Sequence, residues 1–411
     1  MRIGIVTVAG HGIGGMQDHT RDLALGLVAA GHDVHVIAAR HPERSGSVVE
    51  GGVDWHHVDA PGRYERFPFH HPGWLRGSFE SFAALHDERP FDVLHSESSS
   101  ALELLRRGVH RRVPIVVMYH GNVLGLMRAA VNRATAGPRA AVREGKLLVW
   151  TAAGHLQRGE WHRFRGLEWI VPSRQQFEET RRSEWLDPRQ GHVVPNGIDP
   201  AVFRPIDRRD ALAAVGLPDR PTLVSVGRLN HEKGMDVAIL ALSRLRESPE
   251  AQLVLVGSGE FEAGLRDLAR REGVAERVVF AGPQPHHAVV AYMNAADVYL
   301  FPTLREEAAP VVLPQAMGCG AAVVASRIGG IPEVIGGTGE RGLLVRPGDV
   351  DELATTVDAL LRDPVRRASI GTAARRHILQ GYTVERMTEL TVEVYRRAIA
   401  RGRPPTAAGS A

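Results

Sequence analysis

Residues 301–326 read FPTLREEAAPVVLPQAMGCGAAVVAS, and the fold is decided by how this stretch is read. The apolar run Val298–Phe301 has the length and β-rich make-up of a buried strand and stops at Pro302. Two carboxylates follow, Glu306 and Glu307, and then a small-residue segment, 311–319, with helical character that Gly320 ends. Pro314 falls in the first helical turn, where its missing N–H would have had no partner anyway. Residues 322–325 are apolar again, so the order is strand, acidic loop, helix, strand. An acidic loop at the carboxyl end of a strand, leading into the free N–H groups of a helix, suits a polyhydroxyl ligand joined to an anion. Sugar nucleotides have that shape.

The same rhythm extends in both directions. Short apolar runs at 2–9, 33–38, 53–58, 92–95, 115–119 and 168–171 predict strands separated by amphipathic helices, the first over 16–30 and closed by Gly31. A second series at 222–226, 252–256, 277–280, 298–301, 322–325 and 342–345 follows the turn Pro195-Asn196-Gly197-Ile198-Asp199. Two doubly wound α/β domains in tandem account for this, with a boundary at 196–206. Three helices starting near Asp349, Pro364 and Val384 complete the pattern, and the Pro/Ala/Gly-rich tail 402–411 is expected to be disordered.

With 411 residues, 44% apolar and 24% charged, the chain has the make-up of a soluble two- or three-domain protein. The apolar stretch 3–9 is too short for a signal-peptide core, no run approaches a membrane span, and Cys319 is the single cysteine. A cytoplasmic location is expected. The +3 net charge is compatible with anionic substrates or an anionic membrane surface. Between 125 and 166, basic residues outnumber acidic ones, which fits either a peripheral membrane face or a solvated helical face.

Four stretches carry candidate chemistry. Gly10, Gly12 and Gly15 match G-x-G-x-x-G after the first strand, but Arg40 follows the second strand where a ribose-binding acid would stand. An NADP site, a plain tight turn, and a glycine loop centred on Gly14-Gly15 that approaches a phosphate or acceptor all remain open. In VGRLNHEKG (226–234), Arg228 and Lys233 stand where two cations and a helix start can grip a pyrophosphate; Glu232 beside Lys233 equally fits a surface ion pair. Glu307 and Gln315, seven residues between them, can share a ligand only if the backbone turns from loop to helix near Pro310. His120 of MYHG (118–121) ends a strand, where it can meet a sugar hydroxyl or serve structure alone. The pairs His56/His57, His70/His71 and His286/His287 lack metal-site spacing, and no metal is assigned. Neither a G-x-S-x-G elbow nor a Walker lysine is present, which disfavours hydrolase and kinase readings.

Taken together and in this order, the stretches resemble the family 4 retaining glycosyltransferases, with two facing Rossmann-like domains of the GT-B type. Gly14-Gly15 with Leu23 and Gly31-His32-Asp33-Val34 is similar to the family's glycine loop and first helix, and His120-Gly121 to its His-Gly pair. Residues 195–199 are similar to its P-N-G-I/V-D linker, Arg228 with Glu232-Lys233-Gly234 to its phosphate grip, and Glu306-Glu307 through Gly320 to its E-x7-E signature. The resemblance covers residues 1–400. It implies an N-terminal acceptor-side domain, 1–196, onto which a helix near 384–400 packs back, and a donor-binding domain, 197–380, with the active site in the cleft between them. A nucleotide diphosphate sugar would be co-substrate with no other cofactor, a UDP-sugar being expected ahead of a GDP-sugar, and no nucleic acid is an expected partner. Arg228 and Lys233 would neutralise the leaving diphosphate without a metal, and Glu307 would hold donor hydroxyls. Backbone N–H groups near Ala309 and Val311 would reach sugar or phosphate, Gly259 and Pro283 would line the base side, and His120 would approach the anomeric carbon. The sequence departs from the pattern at Gln315, where a second glutamate would hold the ribose, and at Ala308-Ala309, which replace Gly-Phe. An amide offers one acceptor and one donor group where a carboxylate accepts from both hydroxyls. Epimerase, pseudo-glycosyl coupling and non-catalytic sugar-nucleotide binding are the competing readings.

Overall fold

RIGIVT at the start of the chain is fully buried along its length, as a central parallel strand covered on both faces must be. The computed structural model describes residues 1–8, 14–41, 46–61, 70–120, 167–182 and 187–402. Gly10 and Gly12, the basic stretch 125–166 and the tail beyond Gly402 lie outside the described residues.

Two compact units divide the chain: Met1–Asn196 together with Val384–Ala411, and Gly197–Thr383. In the first, β1 (Arg2–Thr7), β2 (Asp33–Ala39), β3 (Gly46–Glu50), β4 (Val53–Val58), β5 (Val93–Glu97), β6 (Ile115–Met118), β7 (Glu168–Val171) and β8 (Gly191–Val193) form one sheet. Its order is β3-β4-β2-β1-β5-β6-β7-β8, parallel except for the β3–β4 hairpin. The helix Gly15–Ala29 ends as Gly31 predicts: with φ 80° there, the Gly31 and His32 N–H groups turn back to the Val28 and Leu27 carbonyls, at 2.9 and 3.0 Å. The helix Val384–Gly402 covers this sheet as well. Its Met387, Val394, Tyr395 and Ala398 are buried in one cluster with Ile3, Ile5, Leu23 and Val116.

The second unit holds β9 (Thr222–Val226), β10 (Gln252–Val256), β11 (Val278–Gly282), β12 (Val298–Phe301), β13 (Val323–Ser326) and β14 (Leu343–Val345). They form an all-parallel sheet in the order β11-β10-β9-β12-β13-β14. Buried residues cover both of its faces, so its strands read as continuous apolar runs. In each sheet the winding reverses direction once near the middle, between β1 and β5 and between β9 and β12. Open α/β sheets take ligands beyond the carboxyl ends of the strands at such a reversal.

Candidate active site

At the reversal in the second unit, three loops are drawn together by backbone contacts. The loop after β9 meets the one after β10: Leu229 N–H donates to Ser258 O at 3.0 Å and Phe261 N–H to Leu229 O at 3.0 Å. It also meets the loop after β12, where Leu304 N–H and Thr303 Oγ1 both donate to Glu232 O, at 2.9 and 3.0 Å. Gly234 is required here twice over. Its φ is 67°, and a Cβ on it would stand 2.0 Å from Pro302 O. Gly330 N–H fastens a fourth loop by donating to Glu307 O at 2.8 Å.

This backbone cradle carries a chain of charged side chains. Lys233 Nζ lies 2.6 Å from Glu307 Oε1 and 5.7 Å from the centre of the Phe301 ring. Arg305 joins Glu307 to Glu232, with Nη2 3.4 Å from Glu307 Oε2 and Nη1 2.9 Å from Glu232 Oε2. Glu307 is 8% exposed. Burial alone would push its carboxyl up, but the Lys233 ammonium and the Arg305 guanidinium prevail and hold it below the usual carboxylate range. Lys233 thus pairs with Glu307, whereas Glu232 pairs with Arg305. The two carboxylates and two cations balance, so the exposed Arg228, without an ion pair among the described residues, is the cation left over for an anionic ligand.

Of the remaining residues singled out from the sequence, Gly259 lies against Leu229, where a Cβ would come within 2.3 Å of Leu229 O. Pro283 is exposed just beyond β11, whose last residue, Gly282, accepts from Gly257 N–H at 2.8 Å. Ala309 and Val311 lead into the helix Val312–Gly318, which carries Gln315. Gln315 is buried, yet among the described residues its amide makes no hydrogen bond to protein. That leaves both its acceptor and its donor group for a ligand. Gly14, Gly15 and His120 belong to the first unit, the glycines opening the helix Gly15–Ala29 and His120 following β6. Gly14 is extended at φ 168° and its carbonyl accepts from Asp18 N–H at 3.0 Å.

Arg305 was not singled out in the sequence, because an arginine beside two glutamates reads as a solvated face. Nor was Glu97, the last residue of β5, which is fully buried against His19, His95 and His120 at the reversal of the first sheet. Metal-ligating atoms of His19, Glu97 and His120 lie within 4.8 Å of one another, as do those of Asp33, His35 and Asp54. Neither group involves the adjacent histidine pairs weighed in the sequence.

Two parallel α/β units, each with its charged constellation at the carboxyl ends of its strands, define the class: the GT-B glycosyltransferase fold. The family models agree in chain order, "Glycosyltransferase Family 4" matching residues 13–202 and "Glycosyl transferases group 1" residues 207–377. By fold and by this pair of matching domains the chain is built like the glycosyltransferases of the group 1/family 4 type. A GDP-mannose-dependent monoacylated alpha-(1-6)-phosphatidylinositol monomannoside mannosyltransferase of Corynebacterium glutamicum is 35% identical over 48% of this chain and 53% of its own length. A D-inositol 3-phosphate glycosyltransferase of Mycobacterium bovis is 31% identical over 77% of this chain and 64% of its own. The chain thus spans between half and two thirds of these relatives. The sucrose-phosphate synthase of Thermosynechococcus elongatus superimposes with a TM-score of 0.78 at 25% identity, covering 97% of this chain and 99% of that one. Among the described residues no helix is long and apolar enough to cross a membrane.

Proposed function

We propose that the chain moves a hexose from a nucleoside diphosphate sugar to an acceptor hydroxyl with retention of anomeric configuration. The observation that carries this reading is the ion pair of Lys233 with the buried Glu307, at the reversal of the second sheet, with the exposed Arg228 on the same loop as Lys233. An ammonium, a guanidinium and a carboxylate in one cradle match a donor that is anionic at its diphosphate and rich in hydroxyls at its sugar. Arg228 and Lys233 take the diphosphate and neutralise it as it leaves, in the role a metal ion fills elsewhere. Glu307 accepts from sugar hydroxyls while Arg305 keeps it ionised. Gln315 meets the ribose, Gly259 and Pro283 border the base, and backbone N–H groups at Ala309 and Val311 reach sugar or phosphate. The first unit supplies the acceptor side, with Gly14-Gly15 and His120. The acceptor hydroxyl attacks on the face the diphosphate leaves and gives its proton to that diphosphate.

The relatives' names support glycosyl transfer. A UDP-sugar is the first donor candidate, and the GDP-mannose in one relative's name makes that donor the paired trial. The test is release of nucleoside diphosphate with each donor in the presence of cell extract, with products identified by mass spectrometry. Glycoside formation that is lost in Glu307→Ala, with folding intact, is the expected result. Turnover without any glycoside would favour an epimerase, and near-normal transfer by the variant would remove Glu307 from the site.

A further inference from the structure

We infer that Glu97 is a positioning residue that fixes the tautomer and direction of His120, an inference that rests on the role proposed for His120. The sheet order supplies the placement. β5 lies beside β1 at the reversal, β6 lies next to β5, and the helix after β1 starts at the same end. Glu97 ends β5, His120 follows β6 by two residues, and His19 is in the second turn of that helix. Residues 19, 97 and 120 therefore converge although they are far apart in sequence.

Within this convergence each oxygen of one carboxylate serves one imidazole. His19 Nδ1 is 3.1 Å from Glu97 Oε1, and His120 Nε2 is hydrogen-bonded to Glu97 Oε2. The His19 and His120 rings meet edge to face at 4.8 Å. Glu97 is fully buried; burial opposes its charge, yet the histidines hold its carboxyl well below the ordinary range. An ionised carboxylate only accepts, so both imidazoles donate to it. His19 is thereby held with its proton on Nδ1 and His120 with its proton on Nε2. Nδ1 of His120 is then the ring atom left to face a hydroxyl, on a side chain that is 14% exposed.

Glu97 is itself held firmly. Ser98 has φ 51°, an uncommon conformation for a residue with a side chain, and its N–H donates to Met118 O at 2.8 Å, tying β5 to β6. Ser96 Oγ accepts from Ala101 N–H at 3.0 Å and donates to Ser98 O at 2.9 Å. Ser100 Oγ accepts from Val8 N–H at 3.0 Å, tying the same turn to β1. Behind the carboxylate, His95 Nε2 stands 3.5 Å from Glu97 Oε1, and its Nδ1 is 2.9 Å from the Tyr395 hydroxyl. The serines of SESSS thus build a turn whose product is a carboxylate locked beneath His120. The opposed use of the two oxygens, one per imidazole, favours shared protons over a metal ion as what holds the three side chains together.

Glu97→Gln tests this, because an amide can accept from one imidazole but must donate toward the other. The full-length protein is labelled with 15N-histidine, His19 and His120 resonances are assigned with His19→Asn and His120→Asn, and tautomers are read from the ring nitrogens. Wild type should show His19 protonated on Nδ1 and His120 on Nε2, and Glu97→Gln should lose that pairing. If the transfer reading is right, kcat falls about tenfold or more in Glu97→Gln with donor KM within about twofold, and Glu97→Asp recovers part of it. Wild-type His120 protonated on Nδ1, or a variant with unchanged tautomers and unchanged kcat, would overturn the inference. So would stoichiometric uptake of Co(II) or Zn(II) that is lost in all three variants at these positions. The tautomer measurement needs no substrate, so it still decides the role of Glu97 if no sugar transfer is found.

Discussion

Replacing Lys233 by methionine keeps the length of the side chain and removes the ammonium 2.6 Å from Glu307 Oε1. At that distance and an effective dielectric of about 20, the attraction is ~6 kcal/mol before desolvation is counted. Burial of Glu307 and half-burial of Lys233 take back much of it. Breaking a buried pair from one side costs about 3–5 kcal/mol in general, and here Arg305 stays 3.4 Å from the orphaned carboxylate, so about 2–3 kcal/mol is expected. In a unit of this size that corresponds to a Tm lower by roughly 5–10 °C. Glu307→Gln should cost a similar amount, since it leaves Lys233 facing an uncharged amide. The double variant should then cost less than the sum of the singles by about 1.5–3 kcal/mol, because neither charge is left behind to be orphaned. Urea unfolding of the four proteins, read by circular dichroism and checked by calorimetry, measures this. Additive losses would mean that the pair is not coupled in the folded protein, and the account of how Glu307 stays ionised would fall with it.

Gln315→Glu should tighten binding of a uridine or guanosine diphosphate in calorimetry if the side chain faces the ribose; unchanged affinity places it elsewhere. Gly234→Ala should destabilise by about 2–4 kcal/mol in chemical denaturation, since it combines an unfavourable φ with a clash on Pro302 O; a loss below about 1 kcal/mol would show that the loops after β9 and β12 part easily. Glu97 and Glu307 both have depressed carboxyl pKa values, so the stability they contribute is complete above the ordinary value of 4.5 and is lost as pH falls through the folded-state values. Acid unfolding of Glu307→Gln should accordingly be less steep than that of wild type below pH 4.5, and parallel curves would contradict the sign. Deleting residues 384–402 should expose the apolar face of the first sheet and raise binding of a hydrophobic dye, which an unchanged dye signal would refute.

The strands legible in the sequence are the interior ones, such as Ile115–Met118 and Val298–Phe301, because a strand covered on both faces must be largely apolar. β3 and β8 escaped notice for the opposite reason. At the edges of the sheet, Gly46–Glu50 is mostly exposed and Gly191–Val193 only half-buried, so no apolar run marks them. Within the site, Glu307 and Lys233 could be picked out because each sits in a short motif at a strand end. Their direct pairing could not, since the loops that join them are separate in sequence and are brought together by carbonyl contacts at Glu232 and Pro302. Glu97 was hidden by a strand expected to end at His95, followed by serines that read as a polar turn. Its partners His19 and His120, and the Tyr395 that holds His95 behind it, come from three distant segments, and only the sheet order places them side by side.

The helix Val384–Gly402 gives the chain an unusual order of completion. Every residue of the second unit has been synthesised by Thr383, whereas the first unit, begun earlier, still lacks the helix that buries Ile3, Leu23 and Val116. Folding that follows the emerging chain usually finishes the N-terminal domain first. Here the later unit can close on itself while the earlier one waits with an open apolar face. Residues 384–402 therefore finish a unit that was begun before any of the second unit was made.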